Sequence, residues 1–210
     1  MRESRNLDLE FAGLTIEDRA DDGSWIVGYG AVYYDGSNRT EFELWPGMLE
    51  RIMPGTFERA LREGDDVRGL FNHDPNMLLG RTSSRTMKLV SDTRGLRYEI
   101  RTNPEDPDAM SVAAKLKRGD LSGSSFSFAV PPDGQRMKLE KRGGVTIRIR
   151  EITNVDPLYD AGPVTFPAYE ATAAGVRQQR DALEAAFQAQ LENPFDADLD
   201  YRQRRNRLAS

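Results

Sequence analysis

Short runs in which apolar and polar residues alternate recur along the chain, and this period of two is typical of β-strands with one buried face. Gly28 and Gly30 lie inside one such run, where glycine indicates a bulge or a close approach of two backbones. Turn residues at 92–95 and 141–144 predict two hairpins. The predicted strands cover residues 7–11, 25–34, 87–89, 96–100, 126–130, 137–139 and 145–149.

Few helices are predicted between these strands. Thr56 as a cap and Gly64 as a stop predict a short helix over residues 57–63. Asp106, followed by proline, begins a second helix that ends at Gly119. Many short strands with few helices predict a mainly β fold with flanking helices, a barrel or a sandwich rather than a parallel α/β sheet.

The character of the sequence changes near residue 170. Leu183, Phe187 and Leu191 follow one another at a spacing of four, which predicts a single helix with a narrow apolar stripe over residues 171–192. The last ten residues carry four arginines and little that could be buried. We therefore predict a β domain over residues 1–170 and a helical, basic and partly disordered tail over residues 171–210.

Composition narrows the classes of function. A net charge of −5 argues against a nucleic-acid-binding protein. No apolar run is long enough to span a membrane and the first residues lack a signal-peptide core, so we expect a soluble cytosolic protein with no membrane partner. Zero cysteines exclude disulfides, thiolate zinc sites and a cysteine nucleophile, and one histidine excludes a histidine-rich metal site. We expect no metal and no cofactor.

The candidate chemistry begins with four serines at residues 122–127. If this stretch is a strand, Phe126, Phe128 and Val130 bury on one side while Ser125 and Ser127 share the other. A hydroxyl held on a rigid strand could serve as a nucleophile. The alternative is an ordinary polar strand face.

A serine nucleophile needs a neighbouring base to accept its proton. His73 is the one histidine of the chain, so it must be that base in any serine hydrolase that uses an imidazole. Pro75 disfavours helix for the residue before it, which places His73 at a strand end or in the following loop. The alternative is a structural histidine.

A third candidate lies late in the chain. Asp160 stands between apolar neighbours and could be carried inward, where a carboxylate would orient an imidazole. The alternative is a turn residue, because glycine and proline follow two and three positions later.

Seven short motifs occur together and in order, and together they resemble the prohead (capsid maturation) serine proteases of tailed bacteriophages. The resemblance covers about residues 5–175. The motifs stand at residues 27–32, 54–57, 71–75, 79–82, 92–96, 119–128 and 164–168.

The resemblance implies a closed or partly open β-barrel, similar to the herpesvirus capsid protease. It implies Ser125 as the nucleophile, His73 as the general base and Asp160 as the orienting acid. The implied substrate is the major capsid protein or its scaffolding segment, and self-cleavage and homo-oligomer formation are left open. The implied location is the inside of the immature procapsid, in the host cytoplasm.

Some residues depart from the family pattern. Ser124 and Ser127 add a hydroxyl on either side of Ser125, so the nucleophile is open among the three. Arg85 stands where the family has glycine, and Asp160 stands where many relatives have glutamate. Two other classes of function remain: an inactive capsid-assembly or scaffold protein with the same fold, and a non-viral hydrolase of small esters.

Overall fold

The computed structural model of the protein describes residues 2–7, 9–166 and 173–192. The four α-helices of this part of the chain are α1 Leu9–Ala12, α2 Glu58–Glu63, α3 Pro107–Arg118 and α4 Ala173–Glu192, with one 3-10 turn at Asn38–Thr40. Its strands are β1 Glu3–Leu7, β2 Thr15–Arg19, β3 Gly23–Val32, β4 Phe42–Trp45, β5 Met48–Ile52, β6 Arg68–Leu70, β7 Leu78–Arg81, β8 Met87–Ser91, β9 Gly95–Arg101, β10 Gly123–Phe128, β11 Gln135–Arg142, β12 Val145–Ile152 and β13 Leu158–Val164.

These strands form three open sheets. One contains β1, β10, β13, β6 and β7 in that order, and we call it the serine sheet because β10 carries Ser124, Ser125 and Ser127. The other two have the orders β11-β12-β5-β4 and β2-β3-β9-β8. The predicted mainly β fold with flanking helices is confirmed. The described strands do not close into a single hydrogen-bonded ring, so the barrel stays a prediction.

The core lies between the serine sheet and its neighbours. Phe126 and Phe128 are fully buried, with their rings stacked at 4.7 Å, and Phe57 meets Phe126 edge-on at 5.5 Å. On β3, the register against β9 shifts at Gly30, and a Cβ there would lie 3.2 Å from the Cβ of Ala161. The predicted bulge is therefore confirmed, and it lets β3 approach β13 closely.

Both predicted hairpins are confirmed. Strands β8 and β9 pair with Leu89 opposite Tyr98, and β11 and β12 pair with Arg142 opposite Val145. The helix capped by Asp106 is confirmed as well, since the Asp106 side chain accepts hydrogen bonds from the first backbone N–H groups of α3.

Two local predictions are wrong. Residues 7–11 do not form one strand, because β1 ends at Leu7 and Phe11 lies in α1. Thr56 does not cap α2: its hydroxyl donates to the carbonyls of Met53 and Ile152, and Phe57 holds the cap position instead. For Thr56, the Ile152 carbonyl comes from a segment that a local pattern does not contain.

Helix α4 packs against the sheet that contains β11. Leu183 and Phe187 are buried there in a cluster with Met48 and Met137, as the predicted apolar stripe requires. The side chain of Leu191, the start of the predicted helix at residues 171 and 172, and the basic segment after residue 192 lie outside the described residues. So does the predicted boundary at residue 170, and the division into domain and tail stays a prediction. No helix of the described ranges is long and apolar enough to cross a membrane.

Candidate active site

Strand β10 holds the serines at the centre of an antiparallel arrangement. It pairs with β1 on one edge and with β13 on the other, so Ser125 lies between Asn6 and Gly162. Phe126 and Phe128 face the core as predicted, and the opposite face is not open to water, since Ser125 is 0% and Ser127 is 2% exposed. A buried hydroxyl needs hydrogen-bond partners.

His73 lies in the turn that follows β6, as the sequence predicts. It adopts a left-handed backbone conformation (φ 58°), and so does Asn72 before it (φ 56°). Asn72 ties this turn to the end of β13: its side-chain oxygen accepts from the N–H of Thr165 at 2.8 Å, its amide donates to the Thr165 hydroxyl at 3.1 Å, and its own N–H donates to the carbonyl of Pro163. These contacts aim the imidazole across β13 towards β10.

Asp160 is a strand residue of β13 and not a turn residue, so the turn interpretation is wrong. It pairs with Ser127 on one side and Arg68 on the other, and its side chain is 2% exposed. The Asp160 side chain is buried, as predicted, and the alternation along β13 places its carboxylate on the same face of the sheet as Ser125.

The structure brings the three predicted site residues together. His73 Nε2 lies 2.6 Å from Ser125 Oγ, and His73 Nδ1 lies 2.5 Å from Asp160 Oδ1. The His73 side chain is 26% exposed, so the imidazole is the part of this group that solvent reaches. Their catalytic roles stay a prediction that the geometry permits.

The Asp160 carboxyl is held in its charged form. Burial alone would raise its pKa, but the hydrogen bond and charge of His73, the hydroxyl of Ser127 and the charge of Arg2 outweigh burial and lower the pKa below its ordinary value. A carboxylate that stays ionised can fix the Nδ1–H tautomer of the ring and stabilise an imidazolium.

The two neighbouring serines have other partners. Ser124 points to the core side, where its hydroxyl donates to Tyr98 at 2.9 Å and to the carbonyl of Gly162 at 3.3 Å. Ser127 donates to Asp160 Oδ2. The hydrogen bond to His73 is made by Ser125, and this favours Ser125 among the three candidates that the sequence left open.

Sequence reasoning missed the residues that come from β1 and the chain before it. Arg2 forms an ion pair with Asp160 Oδ2, and its Nε donates to Ser127 Oγ at 3.1 Å. The carbonyl oxygen of Arg5 accepts from the Ser125 hydroxyl at 2.9 Å. No local signal could have found these contacts, because more than a hundred residues separate their partners along the chain. Asn72 could have been found, since it lies in the motif at residues 71–75.

A hydroxyl, an imidazole and a carboxylate in a hydrogen-bonded row form an arrangement that can activate a nucleophile for acyl transfer. Their chain order is His, Ser, Asp, which differs from the orders in chymotrypsin, subtilisin and the α/β-hydrolases. The row alone fixes a reaction class and leaves the substrate open.

Comparison with known proteins supplies the family. Residues 13–185 of the 210 match the caudovirus prohead serine proteases, a stretch that contains His73, Ser125 and Asp160. No curated protein and no solved structure matches the chain significantly. Because the match spans most of the sequence, the chain belongs to the prohead serine proteases of tailed phages, the serine peptidases of capsid maturation.

Proposed function

We propose that the chain is an endopeptidase in which Ser125 is the nucleophile, His73 the general base and Asp160 the acid that orients the ring. The observation that carries this proposal is the position of His73, which bridges Ser125 Oγ and Asp160 Oδ1 at 2.6 and 2.5 Å. Heavy-atom distances of this size allow direct proton transfer.

The proposed reaction follows the acyl-enzyme route. Ser125 Oγ bonds to a peptide carbonyl carbon while its proton passes to His73 Nε2. The C–N bond then breaks, and His73 returns that proton to the departing amine. Water, activated by the same imidazole, hydrolyses the ester and regenerates the serine. Throughout, Asp160 accepts the Nδ1–H and stabilises the positive charge that the ring carries between the two transfers.

The proposed substrate is the major capsid protein or its scaffolding segment, cleaved inside the immature procapsid in the host cytoplasm, together with the protease itself. Confinement in a shell supplies a high effective concentration, so tight binding of the substrate is not required. Family membership supports a capsid-maturation role, and the particular substrate and self-cleavage belong to the proposal.

Co-expression with the candidate capsid protein tests the proposal. We expect the capsid protein to lose mass with the unmodified chain and to stay intact with Ser125→Ala or His73→Ala. Ser124→Ala is the matched control, because Ser124 is equally buried on the same strand but bonds to Tyr98 on the core side. Unchanged processing by folded Ser125→Ala would favour the inactive scaffold protein instead.

A further inference from the structure

The first strand covers the proposed nucleophile. β1 lies at the edge of the serine sheet and pairs with β10 along its whole length, so that Asn6 stands directly opposite Ser125. Ser125 is 0% exposed in this arrangement. A peptide carbonyl cannot reach the hydroxyl while β1 is in place, because the edge of β10 on which an extended peptide would add is already occupied.

A carbonyl of β1 also competes with His73 for the hydroxyl proton of Ser125. A serine hydroxyl has a single hydrogen to donate. The carbonyl of Arg5 accepts a hydrogen bond from Ser125 Oγ at 2.9 Å, and His73 Nε2 lies at 2.6 Å on the same oxygen. When Nδ1–H faces Asp160, the neutral ring needs this hydrogen at Nε2. Pairing with the Arg5 carbonyl therefore opposes transfer to the proposed base.

The residue before β1 covers the proposed acid. The guanidinium of Arg2 pairs with Asp160 Oδ2 and lies over the ring of Tyr159 at 5.1 Å. The Arg2 side chain is 52% exposed, so solvent reaches this contact. One continuous segment thus contacts both the proposed nucleophile and the proposed acid.

The charged side chains on the other face of β1 limit which peptides could replace this strand. Glu3 and Arg5 point between the sheets, where Arg5 pairs with Glu50 and Glu3 with Arg150. Glu50 is 0% and Arg150 is 1% exposed. Buried charges that lose a partner are strongly unfavourable, so a segment that replaces β1 must bring an acidic and a basic side chain to the same two places.

We propose that β1 occupies the substrate position of the active site and that an extended peptide replaces it along β10, with an acidic residue followed two positions later by a basic one. The proposal rests on the proposed function. In the register of β1, the basic residue lies where Arg5 does, and attack requires that its carbonyl carbon face Ser125 Oγ in place of the oxygen that Arg5 presents. The bond cleaved is then the one after the basic residue, by the acyl-enzyme route already described.

A reversible lock on β1 tests whether the strand must leave. Leu7 and Ser124 are paired residues, and directly paired strand residues have the Cα spacing that a disulfide needs. Because the chain has no cysteine, Leu7→Cys combined with Ser124→Cys introduces one defined disulfide. It keeps Asn6, the residue before Leu7, opposite Ser125. The readout is the rate at which a fluorophosphonate probe labels Ser125.

We expect labelling of the double variant to rise about tenfold or more on addition of reductant, because the rate follows the fraction of molecules whose site is open. Each single cysteine variant controls for its own substitution and should not respond to reductant. Equal labelling with and without reductant would overturn the proposal while leaving the proposed function intact. Absence of labelling in both forms and in the folded unmodified chain would overturn the proposed function and this proposal together.

Two peptides of identical composition test the specificity. One carries the sequence of residues 2–7, Arg-Glu-Ser-Arg-Asn-Leu, inside a longer extended segment, and the other exchanges its glutamate with the second arginine. We expect cleavage after the second arginine of the first peptide, with kcat/KM about 30-fold or more above that of the exchanged peptide, since each buried charge finds its partner only in the first. Equal cleavage of the two would overturn the assignment of the acidic and basic positions.

Discussion

At the scale of residues, the candidate site depends on how one imidazole is held. His73 takes a backbone conformation that costs energy for a residue with a side chain, and the Asn72 contacts to Thr165 and Pro163 offset that cost. In return the ring points at both Ser125 and Asp160. Ser125, His73 and Asp160 have different proposed roles, and single substitutions can test each role separately.

Asp160→Asn tests the orienting role. The amide keeps the size of the side chain but can present its NH₂ group to Nδ1 and so favour the wrong tautomer. We expect kcat for peptide cleavage to fall about 10⁴-fold. The unfolding free energy, measured by urea titration in parallel, shows whether the loss is catalytic. An unchanged kcat in a folded variant would contradict the role given to Asp160.

Arg85→Gly tests backbone strain away from the site. Arg85 is exposed and has a φ of 60°. A left-handed conformation costs about 1–2 kcal/mol for a residue with a Cβ. Glycine avoids this cost but lowers stability by about 0.5–1 kcal/mol, because it makes the unfolded chain more flexible. We expect the variant to be more stable by up to about 1 kcal/mol.

Arg62→Gly serves as the comparison for that variant. Arg62 is an exposed residue inside α2, where glycine is expected to destabilise by about 1 kcal/mol. The two variants should therefore shift the urea midpoint in opposite directions. A loss of stability in both would mean that Arg85 makes contacts that matter more than its backbone strain.

At the scale of elements, β13 organises the site. It carries Asp160, pairs with β10 beside Ser125, and lies next to β6, from which the chain turns to His73. Gly162 allows these strands to come together, because a Cβ there would lie 2.1 Å from the carbonyl oxygen of Leu70. The spacing of β13 and β6 therefore sets where the His73 turn begins.

Gly162→Ala tests that spacing. The methyl group would push β6 away, and we expect a loss of about 1–3 kcal/mol in the unfolding free energy together with a lower kcat, since the turn at His73 moves with Leu70. Gly143→Ala is the control: it costs about 1 kcal/mol through its positive φ, but nothing lies within 4 Å of its Cβ and it is remote from the site. An equal effect of both variants on kcat would argue against the spacing explanation.

At the scale of the whole molecule, a buried charge network joins the serine sheet to the sheet of β5 and β12. Arg5 and Arg150 both pair with Glu3 and with Glu50, and these contacts lie between the two sheets. Burial raises the pKa of Glu3, but its bonds to Arg150 and the two arginine charges outweigh burial and lower the pKa to about 2. The network therefore depends on pH.

Glu3→Gln tests this dependence. A carboxyl whose pKa is lowered on folding stabilises the fold above its unfolded pKa, near 4.5, and that contribution disappears as the pH falls to about 2. We expect the unfolding free energy of the unmodified chain to be higher than that of the variant by up to about 3 kcal/mol near pH 7. This difference should shrink between pH 4.5 and 2. Urea unfolding followed through the fluorescence of buried Trp25 measures it.

Glu63→Gln is the control for that series. Glu63 is exposed at the end of α2, and its substitution should change the unfolding free energy by no more than about 0.5 kcal/mol at each pH. A difference between the unmodified chain and Glu3→Gln that stays constant with pH would contradict the lowered pKa of Glu3.

Local sequence patterns determined several of the strands, turns and helices of this protein and its candidate site residues. Alternation, turn residues and capping fixed the hairpins, the bulge at Gly30 and the helix after Asp106, because these depend on neighbours in the chain. The motifs, with the one histidine, were enough to single out His73, Ser125 and Asp160 as candidates and to indicate the family.

Only the tertiary structure decided how the strands combine and what meets at the site. Strand pairing across more than a hundred residues put Asn6 and the Arg5 carbonyl on Ser125. It also brought Arg5 to Glu50 and Glu3 to Arg150 between the sheets. The Thr56 hydroxyl also has one partner, the Ile152 carbonyl, that lies 96 residues away along the chain. Such contacts depend on register and sheet order, which no local period encodes, because one pattern of alternation fits many partners.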